Sequence, residues 1–477
     1  MSKTKYNPLT AVFSYSIGNI LIKAIPFLTL PLFTKIMSTA DYGVYTTYLS
    51  YESIATILLG FGLSGTIRVA KVEYKERFED YISSILFLQV LIAFLLDILI
   101  MIAFFLWGRD SWLDSKLLLI LLINTLASQV FNIACAKFAI NGEVYRNLFF
   151  SFLVTIVNVT ASLFLCKVVF SNRTYLGRII GSCLGFFISA CIIFVFQLLR
   201  SRKVLNRAYW KFGLYMGAPL ILHALSLTLL AESDKIKIQA IVGVSEAGIY
   251  GIVVTLCGIV MVMITSVDNA WAPWFFSKLG ERDSESILKY DNIMIIVFTS
   301  MTLVIMLISP ELVHLFSSAD YWDSIYSFIP LLISVVLNFY YIIPVNFEYF
   351  HKKTGFIAKS TVIVAIINLV LNFMLIQIIG YIGAAYATAI SKFVLFLMHW
   401  RKAWALEHVK LLGSETIVFC LSMLIGAGLV TYFFVKLILV RYIALFVYIV
   451  WFVVWCNNQG LLQIFLNFVN KRITHNK

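Results

Sequence analysis

Long apolar runs, broken by short polar punctuation, follow one another along the whole chain. A hydrocarbon core about 30 Å thick is crossed by about 20 apolar residues wound as a helix, in which every backbone polar group is paired internally. Runs of that kind span Ala11–Met37, Tyr42–Thr66, Tyr81–Trp107, Leu117–Ile140, Asn147–Phe170, Thr174–Leu199 and Trp210–Ala231. They continue over Ala247–Phe276, Leu288–Leu315, Ser324–Phe350, Phe356–Ile378, Gly383–Trp400, Ser414–Val435 and Tyr442–Trp455. The last could run on through Phe468. The period-two alternation of a membrane β-barrel is absent, so the pattern predicts an all-α polytopic membrane protein of about fourteen transmembrane helices.

Composition agrees: 61% of the 477 residues are hydrophobic and 16% aromatic, against an apolar share of about 45–50% in soluble domains. A cytosolic enzyme is excluded. The formal charge of +13 follows the helix count. With the N-terminus inside, Lys and Arg gather in the inner segments, most densely at Arg200, Arg202, Lys203, Arg207 and Lys211, as cytoplasmic loops require. Both termini are then expected to be cytoplasmic, and the positive charge is a topology signal rather than a nucleic-acid footprint. Met1–Thr10 is polar and no small-residue cleavage site follows the first run, which predicts an uncleaved first helix.

Catalytic chemistry finds no place in this pattern. The longest polar loop lies around Arg68–Asp80, and the sequence has no Walker lysine loop, GxSxG elbow, HExxH or strand-preceded glycine fingerprint. The seven cysteines lie in or beside spans without a CxxC pair, suggesting neither zinc nor disulfides. No catalytic residue, metal or cofactor is expected, and a transporter is the favoured class over an enzyme.

Internal repetition sharpens this. Ala40-Asp41-Tyr42-Gly43-Val44-Tyr45 after the first span matches Ser245-Glu246-Ala247-Gly248-Ile249-Tyr250 after the seventh, an offset of 205 residues. Tyr175-Leu176-Gly177 matches Tyr381-Ile382-Gly383 at an offset of 206, and Asn158 with Ser162 matches Asn368 with Asn372 more weakly. The matches lie six helices apart, an even number, so the halves have the same orientation and an axis along the membrane normal relates them. The expected organisation is a first lobe at 1–206, a second at 207–409, and two helices outside the repeat at 410–477. In each acidic-x-Gly-x-Tyr turn the acid is expected to cap the following helix, the glycine to relax the backbone and the tyrosine to anchor at the interface. The helices before the turns are expected to run to about 50 Å. Pro26 and Pro31 in one and Pro219 in the other are candidates for bending around a cavity.

The run Pro26-Phe27-Leu28-Thr29-Leu30-Pro31-Leu32-Phe33-Thr34-Lys35 with Asp41-Tyr42-Gly43-Val44-Tyr45 resembles the opening of Wzx-type O-antigen and capsular polysaccharide flippases. Asp234-Lys235, Gly248-Ile249-Tyr250 and Ala270-Trp271-Ala272-Pro273-Trp274 are similar to that family's middle region, and the resemblance covers the first twelve spans. The family belongs to the superfamily that also holds multidrug (MATE) exporters and lipid II flippases. The resemblance implies a MATE-like arrangement of two six-helix lobes about a central cavity. By alternating access it would carry an undecaprenyl-diphosphate-linked oligosaccharide to the periplasmic leaflet of the bacterial inner membrane.

A diphosphate in low dielectric needs cations, and a glycan needs hydrogen bonds and aromatic faces. Lys23 lies deep in the first span, where an ammonium demands a cavity or a partner, and is the first candidate for the diphosphate. Lys35, Arg68, Lys235 and Lys237 are further cationic candidates nearer the interfaces, where snorkelling is the competing role. Glu52, His223 and Asp268 lie on helices that line the cavity by resemblance. Glu52, Asp234 and Asp268 are candidates for proton or Na+ coupling, with structural pairs such as Asp234–Lys237 or Lys23–Glu52 as the alternative. Asp97 and Lys392 are expected to make contacts within a lobe. Trp271 and Trp274 suit either sugar stacking or the aromatic belt.

The expected partners are the lipid-linked oligosaccharide, membrane lipids, a coupling ion, and glycan polymerase or chain-length proteins, with no nucleic acid. Two other functions remain open: a cation-coupled small-molecule exporter, whose cavity would be acidic and aromatic, and an integral glycan polymerase, against which the short loops count.

Overall fold

A computed structural model describes residues 22, 24–107, 114–201, 203–408 and 410–460, and these residues contain helices and no strand. The helices are α1 (Ala24–Ile36), α2 (Thr39–Gly60), α3 (Leu63–Glu73), α4 (Phe78–Trp107), α5 (Ser115–Ile140) and α6 (Val144–Phe164). They continue as α7 (Thr174–Arg200), α8 (Arg207–Ile241), α9 (Val244–Glu281), α10 (Ser284–Leu307) and α11 (Ser309–Phe316). The chain ends through α12 (Ile325–Phe350), α13 (Thr354–Ile379), α14 (Tyr381–Glu407), α15 (Ser414–Phe433) and α16 (Ile438–Asn458). Among the described residues twelve helical stretches are long and apolar enough to cross a membrane. α1 and α8 fall outside that set and occupy the places of the first and seventh predicted spans; α8 runs 35 residues but carries Glu232, Asp234, Lys235 and Lys237 in its second half.

Two expectations change. The second span is broken between α2 and α3, where Phe61 and Gly62 take positive φ angles of 49° and 64°. Gly62 is required there, because a Cβ would lie 2.4 Å from the carbonyl oxygen of Gly217 on α8. The segment Arg68–Asp80 is not a loop: α3 continues to Glu73, and a short 3₁₀ turn at Lys75–Arg77 leads directly into α4.

The repeated turn also works differently from its sequence reading. Ser38 caps α2 by accepting from the Asp41 N–H. The Asp41 carboxylate reaches across instead and accepts from the N–H (3.1 Å) and hydroxyl (2.5 Å) of Thr174 at the start of α7. Gly43 and Gly248 serve close approach rather than flexibility. A Cβ on Gly43 would lie 1.8 Å from the carbonyl oxygen of Val244, and one on Gly248 would lie 2.1 Å from that of Thr39. Those contacts are reciprocal under the 205-residue offset, so the pseudo-two-fold axis passes between α2 and α9 at this glycine pair. Tyr45 and Tyr250 are buried inside the protein, not at an interface.

Further contacts join the lobes at this end of the bundle. Ser318 donates to the Thr34 carbonyl, Tyr321 donates to that of Met37, and the Phe27 and Phe316 rings lie 4.0 Å apart, tying α1 to α11 and the turn after it. Toward the other end α2 packs on α5, with the Thr56 and Ser128 hydroxyls 3.4 Å apart, and α9 packs on α12, with Asn346 donating to Asp268. α8 crosses between the lobes. Tyr209, Trp210 and Phe212 of its first half join a core of the first lobe, Leu230 joins a core of the second with Val364 and Leu395, and Ile238 joins the large core that both lobes share. α15 and α16 lie against α10, where Tyr448 donates to Ser300 and Thr431 to the Met306 carbonyl.

Candidate functional site

Where α1, α2, α7, α8 and α9 converge, a cavity of about 150 Å³ separates the lobes. Phe33, Tyr42 and Tyr45 supply aromatic walls, and Arg178 and Lys235 bring one cation from each lobe. Each of these cations is only 7% exposed. The Arg178 guanidinium stacks 3.9 Å from the Phe33 ring and 4.8 Å from that of Tyr45. One of its amino groups donates to Asn158 Oδ1 at 2.6 Å and Ser162 Oγ at 3.0 Å, while its Nε is buried with no hydrogen-bond partner among the described residues. Lys235 Nζ lies 2.6 Å from Glu232 Oε2, the oxygen that also accepts from Ser50 of α2 at 2.8 Å. The guanidinium keeps unspent donors, and the ammonium that lines the same cavity is paired with Glu232; donors of this kind suit anionic oxygens.

The equivalent place in the second lobe has the opposite charge. Asn368 and Asn372, counterparts of Asn158 and Ser162, lie beside Asp234. Asp234 accepts from Asn372 (2.6 Å), Thr388 (2.7 Å) and the hydroxyl of Tyr250 (2.7 Å). Tyr45 and Tyr250 therefore hold the two charges by different means, the first through its π face and the second through its hydroxyl.

Further along α2 a second inter-lobe cavity of about 210 Å³ lies at the α2–α3 break, against Ile221 and Ala224 of α8. Gln89, Gln129, Asn132, Thr56 and Ser64 line it with amides and hydroxyls. Gln89 donates to Gln129 and to the Leu59 carbonyl, and Gln89 Oε1 and Gln129 Nε2 are buried without partners among the described residues. Neutral groups of this kind match the hydroxyls of a sugar.

The predicted residues divide. Lys235 and Asp234 lie at the lobe boundary as described. Lys237 donates to the Leu369 carbonyl, while the Asp234 carboxylate takes its hydrogen bonds from Tyr250, Thr388 and Asn372. Lys35 and Arg68 are exposed. Glu52 is buried in the first lobe with Oε2 unpartnered among the described residues, and Asp268 accepts from Asn346 of α12. Lys392 donates to Asn338 inside the second lobe, and Asp97 is half-buried on α4. Trp271 is buried against Phe275, and Trp274 packs edge-on to Tyr290, which accounts for both indoles without a sugar. Pro26 lines the cationic cavity, and Pro31 lies within α1. Lys23 and the side chains of Pro219 and His223 lie outside the described residues.

Arg178, Gln89 and Gln129 were not singled out from sequence. Arg178 follows a repeated Tyr-x-Gly turn and reads as one more interfacial cation. The two glutamines carry the signal that could have found them, since a polar side chain deep in an apolar run is costly unless it has a use.

A family model described as polysaccharide biosynthesis protein matches residues 9–279, more than half of the chain. The chain belongs to this polysaccharide biosynthesis family. Two relatives of this family member come from Haemophilus influenzae. The Lsg locus putative protein 1 is 21% identical over 399 residues, 80% of this chain and 96% of its own length. An uncharacterized membrane protein is 23% identical over 367 residues, 74% and 87% of the two lengths.

Solved structures agree on the fold of this polysaccharide biosynthesis family chain. A lipid II flippase MurJ in an inward closed conformation matches with a TM-score of 0.65 at 16% identity, covering 94% of this chain and 99% of that one. An inward-facing multidrug resistance MATE family transporter of the MOP superfamily matches with a TM-score of 0.60 at 15% identity, covering 81% and 96%. This is a multi-pass membrane protein with the MATE and MurJ fold.

Proposed function

We propose that the protein flips an undecaprenyl-diphosphate-linked oligosaccharide, an O-antigen or capsular repeat unit, across the bacterial inner membrane by alternating access, and that it performs no covalent chemistry. The observation that carries this reading is the meeting of Arg178 and Lys235, one buried cation from each lobe, in a single cavity between the lobes. A diphosphate bridging them would exchange water for charge-assisted hydrogen bonds, and the glycan would extend toward the amide-lined cavity at Gln89 and Gln129. On this reading, with both termini cytoplasmic, the end tied by Gly43, Gly248 and Tyr321 is the periplasmic one, and those contacts support a state closed toward the periplasm. The division of the chain at 206/207 and 409/410 belongs to this reading, as does coupling to a proton or Na+ through Asp234.

Reconstitution in liposomes with a fluorescent undecaprenyl-diphosphate oligosaccharide tests it, scoring lectin access to the opposite leaflet for wild type beside Arg178→Ala, Lys235→Ala and Lys23→Ala. Translocation by wild type that is lost in Arg178→Ala and Lys235→Ala, with the fold intact by circular dichroism, is the expected result. No glycan translocation, together with ion-driven efflux of a cationic dye, would establish the second reading, a cation-coupled exporter, which the buried and unpartnered carboxylate oxygen of Glu52 favours.

A further inference from the structure

A cavity of about 490 Å³ lies wholly inside the first lobe, among α4, α5, α6 and α7, at the end opposite to the Gly43–Gly248 contact. It shares no lining residue with either inter-lobe cavity. Its walls are apolar, with Leu86, Phe138, Phe150, Ile193 and Phe196 among them. The Phe138 and Phe150 rings stack 5.8 Å apart, and Phe196 is 68% exposed on the surface that a bilayer would cover.

Three cations from three helices stand around it: Lys137 of α5, Arg146 of α6 and Arg200 of α7. Lys137 is 4% exposed, and its Nζ reaches Glu79 Oε2 and Gln197 Oε1, each at 2.7 Å. Arg146 pairs with Glu143 at 2.5 Å, and Arg200 Nε stands 3.6 Å from the same Glu79 oxygen that Lys137 uses. Three cations thus share two carboxylates, leaving a net positive rim. Donors remain, because an ammonium offers three and a guanidinium five. The rim lies where α5 and α7 end and α6 begins, and the apolar walls continue inward from it. Basic pockets between membrane helices on the cytoplasmic side hold anionic headgroups for this reason.

We propose that this cavity binds an anionic glycerophospholipid of the surrounding bilayer, with its phosphate on Arg146, Arg200 and Lys137 and one acyl chain along Phe138, Phe150 and Phe196. A zwitterionic lipid brings its own ammonium to the same positive rim and matches less well. The flipped cargo is a poorer occupant, since the cavity lies within one lobe and away from the path between the two. The proposal stands whether or not the cargo is a lipid-linked glycan.

Native mass spectrometry of the full chain, purified in detergent and supplied with phosphatidylglycerol or phosphatidylcholine, reads the site directly. Wild type is expected to retain one phosphatidylglycerol through stepwise delipidation and to lose phosphatidylcholine. Arg146→Gln/Arg200→Gln should lower that retention about tenfold, each lost charge-assisted contact being worth a fraction of the whole. Lys353→Gln/Lys359→Gln, which removes two exposed cations of the second lobe, should leave it unchanged. If the double arginine variant does not fold, Arg200→Gln alone should lower retention by a smaller factor. Equal retention of the two lipids by wild type, equal loss in the lysine variant, or displacement of phosphatidylglycerol by undecaprenyl diphosphate would each overturn the proposal.

Discussion

Asp234 and Lys235 are consecutive on α8 and serve different places: the carboxylate is held inside the second lobe by Tyr250, Thr388 and Asn372, while the ammonium lines the cavity between lobes beside Glu232. A change of charge at Asp234 is therefore felt by Lys235 without any contact with a guest. Asp234→Asn keeps the shape and removes the charge. The expected outcome is a protein that still binds its substrate but transports about tenfold more slowly and no longer responds to an ion gradient, a coupling of the usual size for linked sites. Flux in proteoliposomes under imposed proton or Na+ gradients checks it, and a variant that keeps its gradient response would remove Asp234 from the coupling path.

Gly43→Ala places a methyl group within 1.8 Å of a backbone oxygen of α9. Side-chain movement cannot relieve that contact, so α2 and α9 must separate. A loss of at least the about 1–3 kcal/mol typical of overpacking is expected, read as a fall in thermal midpoint. Gly258→Ala is the internal control, since nothing lies within 4 Å of its Cβ and alanine is worth about 0.5–1 kcal/mol more than glycine inside a helix. Opposite signs for the two substitutions are the expected result; equal effects would contradict the packing argument.

Asp41→Ala removes the acceptor of two hydrogen bonds at the start of α7. Loss of such a cap costs about 0.5–2 kcal/mol. Because Asp41 belongs to another helix, the effect should depend on Thr174. In a double-mutant cycle with Thr174→Val, the two substitutions together should cost less than their sum, measured by chemical unfolding in detergent.

Acid should loosen α16. Arg441 is 1% exposed and forks onto both oxygens of Glu311, at 2.6 and 2.7 Å. Burial pushes the Glu311 carboxyl up, but its bonds to Arg441 outweigh this and hold it below the usual glutamate range. The folded state binds the proton less readily than the unfolded one, so the stabilisation is complete above the ordinary glutamate pKa of about 4.3 and fades as pH falls through the lower folded value. Glu311→Gln should abolish this pH dependence and destabilise by less than the about 3–5 kcal/mol of a fully buried broken pair, because the Glu311 side chain is 33% exposed. Thermal midpoints measured from about pH 3 to about pH 7, a range that brackets carboxylate titration, distinguish the variant from wild type.

The duplication was legible from short matches at a common offset, and Gly43 and Gly248 show what those matches preserve. The role given to them was wrong: a glycine beside an acid and a tyrosine reads as a turn, and only the approach of a second helix makes it a packing requirement. Asp41 was misassigned for the same reason, since the N-terminus that it caps comes 133 residues later. Lys235 and Asp234 could be suspected because charge deep in an apolar run is costly. Arg178 could not, because near a span end it looks like any interfacial arginine.

The sequence by itself determined that the chain lives in a bilayer, that its spans are helices and that its halves share one orientation. Each of these follows from a requirement that acts locally or counts along the chain: a run long enough to cross, a backbone that must pair with itself, an even number of crossings between repeats. Tertiary structure alone decided which charges meet. Asn158 and Asn368 are equivalent in sequence, yet one accepts from a buried guanidinium and the other bonds Asn372 and Thr388, which both donate to a buried carboxylate. Which charge each half receives depends on side chains contributed by other helices, Arg178 from α7 and Asp234 from α8, and proximity across helices is not written in any local pattern.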